Sequence, residues 1–275
     1  MNREPLLITS LQNDQIKNLV KLRQRRARDT QHLTIIEEPL VISRALTAGY
    51  PLQTVYFCPE HLSDQARFVL AQLQAPGDLQ LVQLAPPVMT KVAYREQPEG
   101  LLVVAPQVST QLADLNLTED PDPPLLVVLE GVEKPGNLGA VLRIADGAGA
   151  RAVLVCGRGT DLFNPNVLRA SRGAFFSLPT VAAETPDILD FLSRNGVQTV
   201  ATTPAATDQY SEVDLTGPVA LFFGTEHEGL TDDLLFACPV KVAIPMLGGG
   251  DSLNVATSCA IVLYEAIRQR RSKPS

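Results

Sequence analysis

Short, continuous apolar runs separated by helix-patterned segments constrain the fold more than any other feature of this sequence. Residues 125–132 read LLVVLEGV, 151–157 RAVLVCG and 218–224 PVALFFG, with further strands expected at 197–203 (VQTVATT) and 240–246 (VKVAIPM). Apolar residues run on without alternation, so strands formed here need cover on both faces. LGAVLRIADGAG (138–149), NVLRASRG (166–173) and PDILDFLSRNG (186–196) read as helices, LPTV (178–181) as a short strand, and LNVATSCAIVLYEAIRQRR (253–271) as a closing helix. Strands alternating with helices over residues 125–275 predict a parallel sheet in an α/β domain.

Upstream, QVSTQLADLNLTEDPDPP (107–124) is polar and ends in three prolines, the composition of a domain linker. Residues 1–106 form a smaller α/β domain by the same reading. Strands are expected over 33–38, 52–58 and 79–84, and helices over 39–49 and 62–73, with a basic helix starting near Asn13.

Net charge is −7, which on its own argues against a nucleic-acid partner. The balance is uneven, however. The first 106 residues hold 11 Lys and Arg against 10 Asp and Glu, and the remainder 12 against 20. Lys17, Lys21, Arg23, Arg25, Arg26 and Arg28 follow one another with no acid between them. On one helix they would form either a solvated face or a contact for a phosphate backbone, and the surrounding acidity favours the second. Cys58, Cys156, Cys238 and Cys259 are scattered, with no CxxC pair and no His at ligand spacing, so no metal site is expected. No apolar run approaches the roughly 20 residues of a membrane span. The first residues lack the pattern of a secretory signal, and the expectation is a cytoplasmic protein.

Three predicted strand ends carry glycine loops, where ligands bind in open α/β sheets. EGVEKPGNLGAVLRIAD places Asn137, Gly139 and Arg143 in an N-x-G-x-x-x-R arrangement; FFGTEHEGL brings Gly224, Glu226 and Gly229; IPMLGGGDSLNVA combines Gly248–Gly250 with Asp251, Ser252 and Asn254. None is a GxxxxGK[ST] or GxGxxG phosphate loop. Together the three resemble the SpoU (TrmH-like) RNA ribose 2′-O-methyltransferases of the SPOUT superfamily, over residues 125 to about 270. The second loop departs from the family pattern, with His227 where members commonly have Gly. ITSLQNDQIKNLVKLRQRRARD resembles the ribosomal-protein-like substrate-binding domain of rRNA-modifying members, in which an acidic residue and Gly usually follow the first strand; here the chain reads Glu37-Glu38-Pro39.

The resemblance implies a deep trefoil knot in residues 125–275, S-adenosylmethionine as cofactor, RNA (23S rRNA ahead of tRNA) as substrate, and a homodimer with an active site shared between subunits. It implies that Thr202, Thr203, Gly224, Ile244, Met246, Ser252 and Leu253 line the cofactor pocket, with Gly248–Gly250 letting the chain pass a tight crossing. Ile244 and Leu253 would serve equally as plain core. Arg143 is the family's matching catalytic position. Because a guanidinium stays protonated, binding a phosphate and polarising the developing alkoxide suit it better than proton abstraction. Asn137, Glu226, Ser252 and Asn254 complete the expected catalytic set, although Ser252 or Asn254 would also suit the N-cap of the last helix. Arg169 and Arg172 are further candidates for RNA contact. The alternatives are a tRNA 2′-O-methyltransferase and an RNA-binding or ribosome-assembly protein without catalysis.

Overall fold

A computed structural model describes residues 5–74, 79–118, 121–157, 161–225 and 228–272. The chain divides into two units, one of residues 1–108 with 161–177, the other of residues 109–160 with 178–275. The segment around NVLRASRG, which lies between two strands of the second unit, therefore belongs to the first.

The first unit is built on a five-stranded mixed sheet of β1 (Leu6–Ile8), β2 (Leu33–Glu37), β3 (Thr54–Phe57), β4 (Gln80–Leu84) and β5 (Leu101–Pro106), in the order β1-β4-β3-β5-β2. β5 runs antiparallel to both β2 and β3. Around the sheet lie α1 (Asp14–Lys21), α2 (Arg25–Gln31), α3 (Pro39–Thr47), α4 (Asp64–Gln74), α5 (Pro86–Val92) and, from the later segment, α7 (Pro165–Ala170). Ile16, Leu19 and Leu22 pack with Val82, Leu84, Val88 and Met89 in one core.

The expected single basic helix is two helices. The chain leaves helical geometry at Gln24 (φ −89°, ψ 132°), so the carbonyls of Leu22 and Arg23, in the turn just past α1, have no helical donor. Arg28 folds back to satisfy them, donating at 2.9 Å to the carbonyls of Leu22 and Arg23 and forming an ion pair with Asp161. It is 1% exposed, so the expectation that Arg28 meets RNA is corrected: its charge is spent inside the unit. Arg23 is likewise committed, donating to the carbonyls of Lys91 (2.9 Å) and Ala93 (2.6 Å) with its guanidinium over the Tyr94 ring. Lys17, Lys21, Arg25 and Arg26 stay exposed, Lys17 facing Asp14 and Arg25 facing Asp29.

The second unit holds six parallel strands in the order β11-β9-β10-β6-β7-β8: β6 (Leu125–Glu130), β7 (Ala152–Cys156), β8 (Thr180–Ala182), β9 (Gln198–Thr202), β10 (Val219–Phe223) and β11 (Val240–Val242). Every residue of β6, β7 and β10 is buried, as the unbroken apolar runs require. On one side, Leu126, Val128, Leu154 and Phe222 pack with Ile188 and Leu192 of α8 (Thr185–Arg194) and Leu234 of α9 (Asp232–Ala237). Elsewhere α6 (Pro135–Gly147) packs with α10 (Val255–Ser272), which also meets β10. β7 and β8 extend the sheet to one side of β6, while β9, β10 and β11 lie on the other. Sheet order thus reverses between β6 and β10, where a crevice opens at the carboxyl ends. Phe223 pairs with Leu129, which brings the loops after these two strands level.

Candidate active site

Two cavities open at that crevice. The larger, about 540 Å³, lies beyond the ends of β9, β10 and β11 and has the size of a small-molecule site. Thr202, Thr203, Gly224, Ile244, Met246, Ser252 and Leu253, scattered over some fifty positions of sequence, all line it. Ile244 and Leu253 are half-buried in its wall. The Thr202 Oγ1 is buried and has no hydrogen-bond partner among the described residues, an arrangement that normally costs free energy unless a ligand or water completes it.

The loop after β10 forms one wall. It closes as a hairpin in which Thr225 N–H donates to the Gly229 carbonyl (3.0 Å) and Gly229 N–H donates back to the Thr225 carbonyl (3.1 Å). The Thr225 hydroxyl oxygen accepts from Glu228 N–H at 3.0 Å. A Cβ on Gly224 would lie 2.0 Å from the Gly229 carbonyl carbon and oxygen, so only glycine fits where the chain doubles back. Glu226 and His227 lie outside the described residues.

Gly248–Gly250 behave differently from expectation. A Cβ on Gly248 or Gly249 would meet no described atom within 4 Å, and one on Gly250 only the Met246 Cε at 3.7 Å. The tight crossing falls at Gly224, while the triple glycine is an exposed loop at the cavity mouth, with Leu247 98% exposed beside it.

The smaller cavity, about 310 Å³, is lined by Gly131–Lys134 after β6, by Asn137 on α6, and by Thr225, Glu228 and Val255, which it shares with the larger one. At its edge the structure joins two predicted residues 117 positions apart: Asn254 Nδ2 donates to Asn137 Oδ1 at 3.1 Å. The Asn254 Oδ1 accepts from Ala256 N–H at 3.0 Å at the start of α10. Asn254 is therefore both the cap of the last helix and the partner of Asn137, and the cap fixes which way its amide points. Ser252 lines the larger cavity and is not that cap.

Arg143 is exposed on α6, lines neither cavity, and makes no hydrogen bond or ion pair with the described residues. Six positions beyond Asn137, it lies roughly 240° further around the helix. Within one chain the structure does not bring the two together. Arg169 and Arg172 sit in the first unit; Arg169 faces the buried Glu37, and Arg172 is exposed with φ +52°. All four cysteines are buried and free, and burial pushes Cys238 up to about 11 and Cys259 up to about 12, which removes them as nucleophiles. Among the described residues no group of three His, Cys, Asp or Glu could hold a metal ion, and no helix is long and apolar enough to cross a membrane.

Known proteins match both units. Residues 124–264 match the SpoU rRNA Methylase family, and residues 13–103 an MRM3-like substrate binding domain. The 23S rRNA (uridine(2479)-2′-O)-methyltransferase of Streptomyces viridochromogenes is 30% identical over 91% of this chain and 87% of its own length. The crystal structure of an RNA 2′-O ribose methyltransferase superposes with a TM-score of 0.82 at 43% identity, covering 97% of this chain and all of that one. An AdoMet-bound rRNA methyltransferase from Sinorhizobium meliloti superposes at 0.85, with 31% identity over 95% of this chain and 97% of its own. The chain belongs to the SpoU rRNA methylase family.

Proposed function

We propose that this protein transfers a methyl group from S-adenosylmethionine to a ribose 2′-hydroxyl of RNA, with 23S rRNA as the substrate. One observation carries the reading: the larger cavity shares a wall with the pocket lined by Asn137, which Asn254 bonds at the pocket's edge. A donor in the first and an acceptor ribose in the second would meet across Thr225 and Val255. The residues fit the cofactor. Ile244 and Leu253 offer apolar surface to an adenine ring, and the unpartnered Thr202 hydroxyl offers a hydrogen bond to a polar edge. When bound, S-adenosylmethionine supplies an activated methyl group.

The remaining work falls to the chain's own groups. Asn254, held by its cap, aligns Asn137, which orients the ribose; Ser252 hydrogen-bonds the bound nucleotide from the cavity wall. The N-terminus of the eighteen-residue α10 favours a nearby phosphate. Glu226 anchors the loop after β10. Arg143, a permanent cation, stabilises charge as the hydroxyl loses its proton. Because it lies outside both cavities of its own chain, we assign it to the site of a second copy, which makes the working enzyme a homodimer. The close approach of the chain to itself at Gly224 suits a trefoil knot. Lys17, Lys21, Arg25 and Arg26 supply phosphate contacts, and the enzyme works in the cytoplasm, where the ribosome is assembled.

The test incubates purified protein with labelled S-adenosylmethionine and unmodified rRNA or tRNA in separate reactions. Label on 23S rRNA is the expected result. Label on tRNA alone overturns the substrate assignment, and no label on either overturns catalysis in favour of a binding role.

A further inference from the structure

Glu130, the last residue of β6, is a buried carboxylate (9% exposed) to which the proposed chemistry gives no part. Its two oxygens are both engaged by one residue of the loop after β10: Thr231 donates its N–H to Oε2 and its hydroxyl to Oε1, each at 2.8 Å. Thr231 is also the N-cap of α9. A single side chain thus ties the strand leading to Asn137 and Arg143 to the loop that separates the two cavities.

A second contact lies one residue on. A Cβ on Gly131 (φ +65°) would come within 3.1 Å of the Thr225 side chain, so the two strand-end loops touch where both line the smaller cavity. The loop is closed at its near end by the Thr225–Gly229 hairpin and at its far end by Glu130. From this geometry we infer that Glu130 is a positioning residue: it clamps the shared wall and so sets the alignment of methyl donor with acceptor ribose. The inference rests on the methyl-transfer reading. Misplacement of about 1 Å at reacting centres costs on the order of 100-fold in rate. Cofactor affinity should change far less, because Thr202, Ile244 and Leu253 hold the other walls.

The experiment compares Glu130→Ala, Glu130→Gln and wild type by steady-state methylation and by hydrogen exchange on the full-length protein. Gln keeps the clamp, since its amide oxygen accepts from Thr231 N–H and its NH2 donates to the Thr231 hydroxyl. Expected for Glu130→Ala is a kcat loss of about 10- to 100-fold, with KM for S-adenosylmethionine within about threefold. Gly229 and Thr231 amides should exchange faster while those of β6 and β10 keep their protection, and Glu130→Gln should restore most of the rate. Unchanged loop exchange, an unchanged kcat, or equal loss of protection in the sheet would overturn the inference. Should Glu130→Ala fail to fold, Thr231→Val, which removes the hydroxyl bond to Glu130 together with the α9 cap bond from Leu234 N–H, is read by the same criteria, with Thr231→Ser, which keeps both bonds, as its control. If wild type transfers no methyl group yet Glu130→Ala frees the loop amides, the methyl-transfer reading fails and the clamp stands.

Discussion

The two units use arginine in opposite ways. Arg143 in the parallel-sheet unit stands exposed on α6 with no partner among the described residues, whereas Arg28 in the mixed-sheet unit is 1% exposed, with two carbonyls and a carboxylate around it. The difference is not one of side-chain chemistry but of what the backbone nearby needs. Where the chain turns after α1, the carbonyls of Leu22 and Arg23 require donors, and a long side chain a few positions on supplies them. Where α6 runs unbroken for thirteen residues, its backbone is satisfied and the guanidinium is left for something else. A positive charge in sequence is therefore available to a substrate only where the local backbone makes no claim on it.

Exchanging the two arginines for alanine is the sharpest way to break this contrast. Arg28→Ala leaves the Asp161 carboxylate and two carbonyls without their donor, so thermal or urea unfolding should register a loss of about 3–5 kcal/mol. Stability unaffected by that change would mean the buried charge does nothing for the unit. Arg143→Ala should do the converse. Methyl transfer falls about 100- to 1000-fold while the unfolding midpoint stays put, because the side chain bonds to none of the described residues of its own subunit. Mixing it with a variant dead through Asn137→Ala should recover part of the activity if Arg143 serves the neighbouring copy's site.

A smaller effect separates the displayed basic residues from the committed ones. Changing Lys17, Lys21, Arg25 and Arg26 to Gln should flatten the salt dependence of RNA binding by about 0.7 in log–log slope for each phosphate no longer neutralised. Arg23→Gln should leave that slope alone, its guanidinium being held by the Lys91 and Ala93 carbonyls. An equal change for both would erase the distinction.

Much of this architecture is legible in the sequence, and the gaps have identifiable causes. The unbroken apolar runs mark β6, β7 and β10 because burial on both faces leaves a continuous signal, whereas β9 buries only Val200 and Ala201. β11 stops at Val242, since the chain turns to line the cavity before the apolar run ends. β1, β5, α5 and α9 are absent from the sequence-based expectation. Six apolar residues such as 101–106 fit a strand or part of a helix equally well, while the Pro86-Pro87 pair that opens α5 and the Thr231-Asp232-Asp233 start of α9 are first-turn signals that resemble loop composition. The cavity residues are readable through the family resemblance that the glycine, asparagine and small polar side chains at the strand ends carry. Gly224 shows a physical reason for one of them, since a Cβ there would collide with Gly229. The inward turn of Arg28 and the attachment of 161–177 to the first unit leave no such mark. Both depend on partners more than a hundred residues away. Glu130 escapes for the same reason, as its partner Thr231 is 101 positions on.

The most direct test of the central claim, a methyl group placed on a ribose oxygen, is alkaline digestion of 23S rRNA labelled by this protein from S-adenosylmethionine. A methylated 2′-oxygen cannot attack the adjacent phosphate, so that linkage survives base. Label recovered in an alkali-resistant dinucleotide is the predicted result; label released entirely in mononucleotides would place the methyl group on a base and contradict the account.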